Sequence, residues 1–417
     1  MNLAGRPMNA LDTAFVRRQF PAFRENGLEG QAFFENAGGS YACRQVLWRL
    51  ERFYRERKVQ PYGPYAASEA GGAEMDEARA RLAAHLGVAR DELHFGPSTS
   101  ANTYVLSQAV RGWMPPGSAL IVTNQDHEAN SGPWRRLAED GGFEIREWRI
   151  DPQSGALDPA DLAPLLDEKV RLVCFPHCSN VVGEINDVPA ITAMVRAAGA
   201  YSCVDGVSLA PHGLPDIGAL GADIYLFSAY KTFGPHQGIM TISQGLAARL
   251  PNQGHWFNGD VLTRRFTPAG PDHAQVAACA GLSDYIDALY EHHFRAGRDA
   301  AGRSGRVRQL IRAYETVLLE PLMAYLETRR DLRVIGPQAA GPARAPTVAL
   351  ALGEPARAAA ARLARHGIMA GGGDFYARRP LQAMGVDLGR GVLRLSLVHY
   401  NTPEEVDRLI TALDCEL

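Results

Sequence analysis

Short apolar runs recur along the chain between about residue 75 and residue 245, with longer amphipathic segments between them. SALIVTN (118–124), VRLVCFP (170–176), AYSCVDG (200–206) and DIYLFS (223–228) are too short for helices and read as buried strands. EMDEARARLAAHLGV (74–88) places Met75, Ala78, Leu82 and Leu86 at helical spacing and then stops at Gly87. ITAMVRAAGA (191–200) is a second helix-like segment. This alternation predicts an α/β fold with a mostly parallel sheet and helices on both faces. Ligands of such sheets sit at the carboxyl ends of the strands. Residues 299–328 read differently, as one long charge-laced helix leading out of the α/β core. A smaller C-terminal part follows, with TVALALG, GVLRLSLV and a last helix from NTPEEVDRLITALD. There Thr402, Pro403 and Glu405 have the pattern of a capping box.

Composition narrows the class. A chain of 417 residues suggests about two or three domains. Hydrophobic residues make up 46% and charged residues 21%, and the formal net charge is −3. That balance argues against nucleic acid or an anionic membrane as the main partner, since both require a basic field. The six cysteines are scattered without a CxxC pair, which suits free thiols in a reducing compartment. No apolar run reaches membrane-spanning length, and MNLAGRPMNALDTAFVRRQF lacks the apolar core of a signal peptide, so the expected location is cytoplasmic. The twelve histidines show no ligand spacing, so no metal is expected. GPHQG is not a dinucleotide fingerprint, because it lacks GxGxxG opening a helix.

The ends of the predicted strands carry polar residues. DIYLFSAYKTFGP puts Ser228 and Lys231 directly after an apolar run, with Gly234-Pro235 behind them. Asp205 closes SCVD, and Asn180 follows LVCFP. HFGPSTSANTYVLSQAV places hydroxyls before a helical run, as an anion site or ordinary N-capping by Ser98 or Thr99. His127 follows SALIVTN at the same sheet edge. Lysine is rarely buried unless its amine is used or paired, so the bland alternatives are a surface lysine or a Lys231–Asp205 salt bridge.

A lysine, an acid, an imidazole, an amide and an anion-binding turn at one edge together suit pyridoxal 5'-phosphate. The amine forms a Schiff base with the aldehyde, the acid keeps the pyridine nitrogen protonated, the turn takes the phosphate, and the imidazole stacks on the ring.

From FFENAGGS (33–40) to YNTPEEVDRLI the chain resembles the class V aminotransferases. These are fold-type I pyridoxal-phosphate enzymes, and the likeness is to their cysteine desulfurase and selenocysteine lyase branch. The resemblance rests on HFGPSTSA, QDHEANSGPW, SNVVGEIN, VDGVSLAPHGLPDIGALGADIYLFSAYKTFGP and LRLSLVHYNT. It implies a large cofactor-binding domain over 41–290 with a seven-stranded-type sheet. It implies a small α+β domain from 1–40 and 291–417, and a homodimer. It also implies roles for single residues. Lys231 would be the Schiff-base lysine and proton shuttle, Asp205 the pyridine partner, and His127 the stacked ring. Asn180 would bond the phenolic oxygen, and Thr99, Ser100 and Ser228 would hold the phosphate. Arg394 would clamp the substrate carboxylate, a job suited to guanidinium, although a strand-end salt bridge is its bland alternative.

Four departures from the family pattern stand out. The stretch IMAGGGDFYARRPLQAMG (368–385) lacks the nucleophilic cysteine of desulfurases. Tyr230 replaces the histidine before the lysine, its hydroxyl still a candidate for the phosphate. Ala269-Gly270 stands where a Gly-Thr usually reaches the second subunit's phosphate. Ser208 stands where Gln or His usually approaches the cofactor oxygen. Tyr376, Arg378 and Arg379 are candidates for substrate selection. Three functions are therefore expected to compete, all on an amino-acid substrate or its scaffold. They are a lyase-type reaction on a β-substituted L-amino acid without a protein persulfide, an aminotransferase, and a non-catalytic cofactor-binding or accessory protein.

Overall fold

A computed structural model describes residues 10–295 and 297–417. Its main sheet has seven strands. They are β1 (Leu93–Gly96), β2 (Ala119–Thr123), β3 (Glu144–Trp148), β4 (Val170–Pro176), β5 (Tyr201–Asp205), β6 (Ile224–Ser228) and β7 (Gly238–Ile242). Their spatial order is β1-β7-β6-β5-β4-β2-β3. Strand β7 is antiparallel to both β1 and β6, and the remaining neighbours run parallel. This is the fold class expected from the alternation of runs.

The strands read as continuous apolar runs because both faces are covered. In β6, Tyr225 and Phe227 pack into one apolar cluster, while Ile224 and Leu226 pack into another. Register then aligns the strand ends: Pro176 lies opposite Asp205, and Asp205 opposite Leu226. The carboxyl ends of β4, β5 and β6 therefore open side by side, which is what positions the site.

The helices include α1 (Ala66–His85), α2 (Thr99–Trp113), α3 (Gly132–Gly141), α4 (Val188–Ala197), α5 (Ala300–Thr328) and α6 (Pro403–Glu416). Helix α1 begins eight residues before the segment that its apolar spacing marked. Its first turns, AASEAGGA, carry little apolar signal. Gly72 leaves room there for the Tyr62 ring, since a Cβ would sit 2.6 Å from it. Helix α5 matches the long charge-laced stretch and carries Pro321 inside it. The capping box of α6 is closed in both directions: Glu405 N donates to Thr402 Oγ1 and Thr402 N donates to Glu405 Oε2, each at 3.3 Å.

A second, antiparallel sheet is built from β8 (Arg333–Ile335), β9 (Thr347–Ala351), β10 (Gly371–Gly373) and β11 (Val392–Ser396), in the order β10-β11-β9-β8. The N-terminal stretch joins it, because Ala32–Phe33 pairs in parallel with Ile368–Met369 and Glu35 bridges to Ser396. Among the described residues, no helix is long and apolar enough to cross a membrane.

Candidate active site

A cavity of about 700 Å³ opens where the carboxyl ends of β4, β5 and β6 face β11. Lys231, Asp205, His127, Asn180, Thr99, Ser100, Ser228, Ser208, Tyr230, Arg394 and Tyr376 all line it. The residues expected to be catalytic or cofactor-binding, with Arg394 and Tyr376 of the substrate-binding candidates, are thus brought to one place. Arg378 and Arg379 do not line it. They pair instead with Asp374 at 3.5 Å and Glu128 at 3.3 Å. A larger cavity of about 850 Å³ lies elsewhere, beside Tyr62, Arg79 and Arg264. The smaller one is the candidate site, because it alone of the two is lined by a buried amine and a buried acid.

Lys231 ends a tight turn, Ala229–Lys231, that leaves β6. The turn is fixed when the N–H groups of Thr232 and Gly234 both donate to the Ala229 carbonyl at 2.8 Å, and Phe233 holds a positive φ of 65°. The ammonium group is buried and forms no ion pair among the described residues. Neither bland alternative for Lys231 is therefore realised: it is not a surface lysine, and it is not bridged to Asp205. Burial, followed by the Arg394 charge, pulls its pKa down to about 8, against the opposing pull of Asp205 and Glu35. An amine held there is available as a neutral nucleophile near neutral pH.

Asp205 ends β5 and accepts the Val207 N–H at 2.9 Å. Burial pushes its carboxyl up to about 6, opposed by that N–H and by Lys231. A buried acid with a single donor has capacity for a cationic or N–H partner. His127 Nδ1 accepts the Ala129 N–H at 3.0 Å, which places the proton of the neutral ring on Nε2. Burial, then the charges of Lys231 and Arg394, pull this imidazole down to about 3, so it is neutral. Its ring sits 5.4 Å from that of Tyr376.

The hydroxyl-bearing end of the cavity lies at the N-terminus of α2. Ser98 caps the helix by accepting the Ala101 N–H at 3.1 Å. Thr99 Oγ1 and Ser228 Oγ lie 2.8 Å apart, which joins the helix start to the end of β6. Gly238 permits that approach, since a Cβ there would lie 2.3 Å from the Ser98 backbone. Asn180 donates through Nδ2 to the Phe375 carbonyl at 3.0 Å, and its buried Oδ1 has no partner. Among the described residues that oxygen is left unsatisfied at the cavity wall.

Arg394, on β11, is buried. Its Nη2 lies 2.6 Å from Glu35 Oε1 and its Nη1 donates to the Asn180 carbonyl at 3.3 Å. The guanidinium also lies over the Phe375 ring at 3.8 Å. The strand-end salt bridge thus exists, with Glu35 as its acid. Phe375 and Tyr376 both hold positive φ, 51° and 56°. Non-glycine residues adopt that conformation only when surrounding contacts fix it. Here the contacts are Asn180 on the Phe375 carbonyl and the Glu128 N–H on the Tyr376 carbonyl at 2.9 Å.

Sequence reasoning missed Glu35, Tyr104, Arg136, His236 and Phe375, which also line the cavity. Glu35 sits in FFENAGGS, a block that carried the resemblance but drew no residue assignment. Tyr104 follows Ser100 at i+4 on α2, a spacing that would have marked it.

The class V aminotransferase model matches residues 32–256 and 306–409. The chain belongs to the class V aminotransferase family. "Aminotransferase-like protein FGM3" of Gibberella zeae is 34% identical over 96% of this class V chain and 98% of its own length. A cysteine desulfurase of Serratia proteamaculans is 29% identical over 95% and 96%. "Nonribosomal peptide synthetase-like enzyme fsqF" of Aspergillus fumigatus is 32% identical over 96% of the chain, which spans 26% of that longer protein. The fold is shared with the cysteine desulfurase CsdA of Escherichia coli at a TM-score of 0.81, 22% identity and 98% coverage of this chain and 99% of that one. An apo cysteine desulfurase from Thermococcus onnurineus NA1 gives 0.82, also at 22% identity, with 96% and 97% covered. The family places the class V chain among pyridoxal-phosphate enzymes, cysteine desulfurase-like in kind. The cavity fits that cofactor: it offers an unpaired buried amine, a buried acid, a hydroxyl-bearing helix N-terminus and an unsatisfied amide.

Proposed function

We propose that this enzyme breaks a bond at the β-carbon of a β-substituted L-amino acid and releases a sulfur or selenium group directly, not onto a protein thiol. The observation that carries the reading is the placement of cysteines. Residues 368–385 contain none. Cys178, the one cysteine lining the cavity, is buried, and its thiol is pushed up to about 12. A thiol held neutral is a poor nucleophile and a poor acceptor of sulfur.

Pyridoxal phosphate, when bound, supplies an electron sink for the charge left at Cα. Lys231 would hold it through the amine and carry the Cα proton. Asp205 would keep a proton on the pyridine nitrogen, and neutral His127 would cover the ring face. Asn180 and Ser208 would approach the phenolic oxygen. Thr99, Ser100, Ser228 and the Tyr230 hydroxyl would serve the phosphate. Arg394 would orient the substrate through its carboxylate, with Tyr376 at the mouth of the site.

A second reading, amine transfer to a keto acid, is supported by the relative described as aminotransferase-like at 34% identity. Incubation with cysteine, cystine, selenocysteine and cysteine sulfinate separates the two. Release of sulfur or selenium with pyruvate or alanine is the expected result. No product from any of them, with an absorbance change on adding amino acid that a keto acid reverses, would replace the lyase by the aminotransferase.

We also propose a cytoplasmic homodimer, with a large domain over 41–290 and a small one from the two terminal parts. Exposed Phe257 (64%), which lines one cavity with Ala269 and Gly270, and its neighbour Trp256 (88%) support a second copy on that face.

A further inference from the structure

We propose that Arg136, presented by Tyr104, is a cationic arm for the phosphate end of the cofactor. This rests on the pyridoxal-phosphate reading of the same cavity. The expected phosphate holders, Thr99, Ser100 and Ser228, are all neutral hydroxyls. A dianionic phosphate set among them has the partial charge of the α2 N-terminus but no fixed cation. Tyr230, where the resemblance leads one to expect a histidine, is stacked on His236 at 4.8 Å and 10°.

The cavity contains three long cationic side chains. The amine of Lys231 is assigned to the aldehyde, and Arg394 is paired with Glu35. Arg136 is left. It lines the cavity and has no carboxylate within ion-pair distance among the described residues. Its Nη2 donates to the Tyr104 hydroxyl, and its guanidinium carbon lies 5.1 Å from that ring centroid. Tyr104 lies one turn beyond Ser100 on the same face of α2, a rise of about 6 Å. The guanidinium is therefore held at the exposed rim of the cavity, on the side chain one turn along from Ser100. Glu128, an acid in the same lining, is engaged by Arg379 at 3.3 Å and forms no ion pair with Arg136 among the described residues.

The experiment titrates the cofactor-free full chain with pyridoxal phosphate and, separately, with pyridoxal, which lacks the phosphate. Wild type, Arg136→Ala, Arg136→Glu and Tyr104→Phe are compared at low and high salt. Arg136→Ala is expected to bind pyridoxal phosphate about tenfold more weakly at low salt, with the difference shrinking as salt rises. Arg136→Glu should lose more and Tyr104→Phe less. Pyridoxal binding should be unchanged throughout.

Equal pyridoxal-phosphate affinity in wild type and Arg136→Ala overturns the proposal. So does an equal loss for both ligands, which marks a structural defect. An unchanged cofactor affinity with a raised KM only for amino acids bearing a second acid also overturns it, and reassigns the arm to substrate. Failure of wild type itself to bind pyridoxal phosphate would instead remove the underlying reading of the site.

Discussion

Glu35 Oε1 lies 2.6 Å from Arg394 Nη2, although 359 positions separate the two residues in the chain. The guanidinium expected to receive a substrate carboxylate already faces one. Gly38 and Gly371 leave room for this acid, since a Cβ on either would come within 2.8 Å of its carboxylate. An incoming carboxylate therefore meets a neutralised pair and not a full positive charge. Glu35→Gln should lower KM for the amino acid several-fold, while Arg394→Lys, which loses the planar fork, should raise it. Steady-state kinetics on both variants checks this, and a raised KM in Glu35→Gln would show that the acid orients the clamp.

Asp205→Asn should act in opposite directions on stability and on activity. The folded carboxyl, pushed up to about 6 from 3.8, favours its neutral form. Its contribution is therefore fully present below the unfolded value and is lost as pH rises through about 6. At pH 8 the cofactor-free wild type carries an under-compensated buried charge that the isosteric amide removes. The variant apoprotein should gain up to about 3 kcal/mol at pH 8, a gain that vanishes below pH 4. Its turnover should fall by about 3–5 kcal/mol of transition-state stabilisation, comparable to breaking a buried ion pair. Denaturant melts at the two pH values and kcat/KM measure both.

Substrate choice should follow Tyr376 and not its arginine neighbours. Tyr376 is 72% exposed, lines the cavity and faces His127, whereas Arg378 and Arg379 are tied to Asp374 and Glu128. Tyr376→Ala should change the ranking of amino-acid substrates, and Arg378→Ala should leave it unchanged. Competition assays with a mixed amino-acid panel read the ranking directly.

Thiol reagents should leave the reaction intact. Cys43, Cys178 and Cys279 are buried, and their thiols are pushed to about 12 or beyond. Cys415 alone is exposed, and it lies on α6, among residues that do not line the cavity. Iodoacetamide at pH 7.5 should label Cys415 and preserve most of the activity. Inactivation that tracks modification of Cys178 would restore a thiol to the mechanism.

Legibility from sequence followed burial. Strands β4, β5 and β6 were readable because a parallel strand covered on both faces is a plain apolar run, and their polar last residues stood out against it. Strand β3, EIREW, was not, because it is the sheet's edge and carries charged residues that are half-buried and held in ion pairs. Strand β7 was overlooked although it is fully buried, since GIMTI follows the lysine turn too closely to stand apart. In the site, Lys231 and Asp205 announced themselves by sitting where their types are seldom found. Glu35 and Arg136 did not, because each reaches the cavity through tertiary packing that no local spacing records, whereas Tyr104 was legible in its i+4 spacing from Ser100.

The most direct measurement is borohydride reduction of the pyridoxal-phosphate-loaded protein followed by peptide mapping by mass spectrometry. Lys58 and Lys169 are the only other lysines, so the assignment is unambiguous. The expected result is a single phosphopyridoxyl group on the peptide containing Lys231, absent in Lys231→Ala. A label on Lys58 or Lys169, or none at all, would contradict the account.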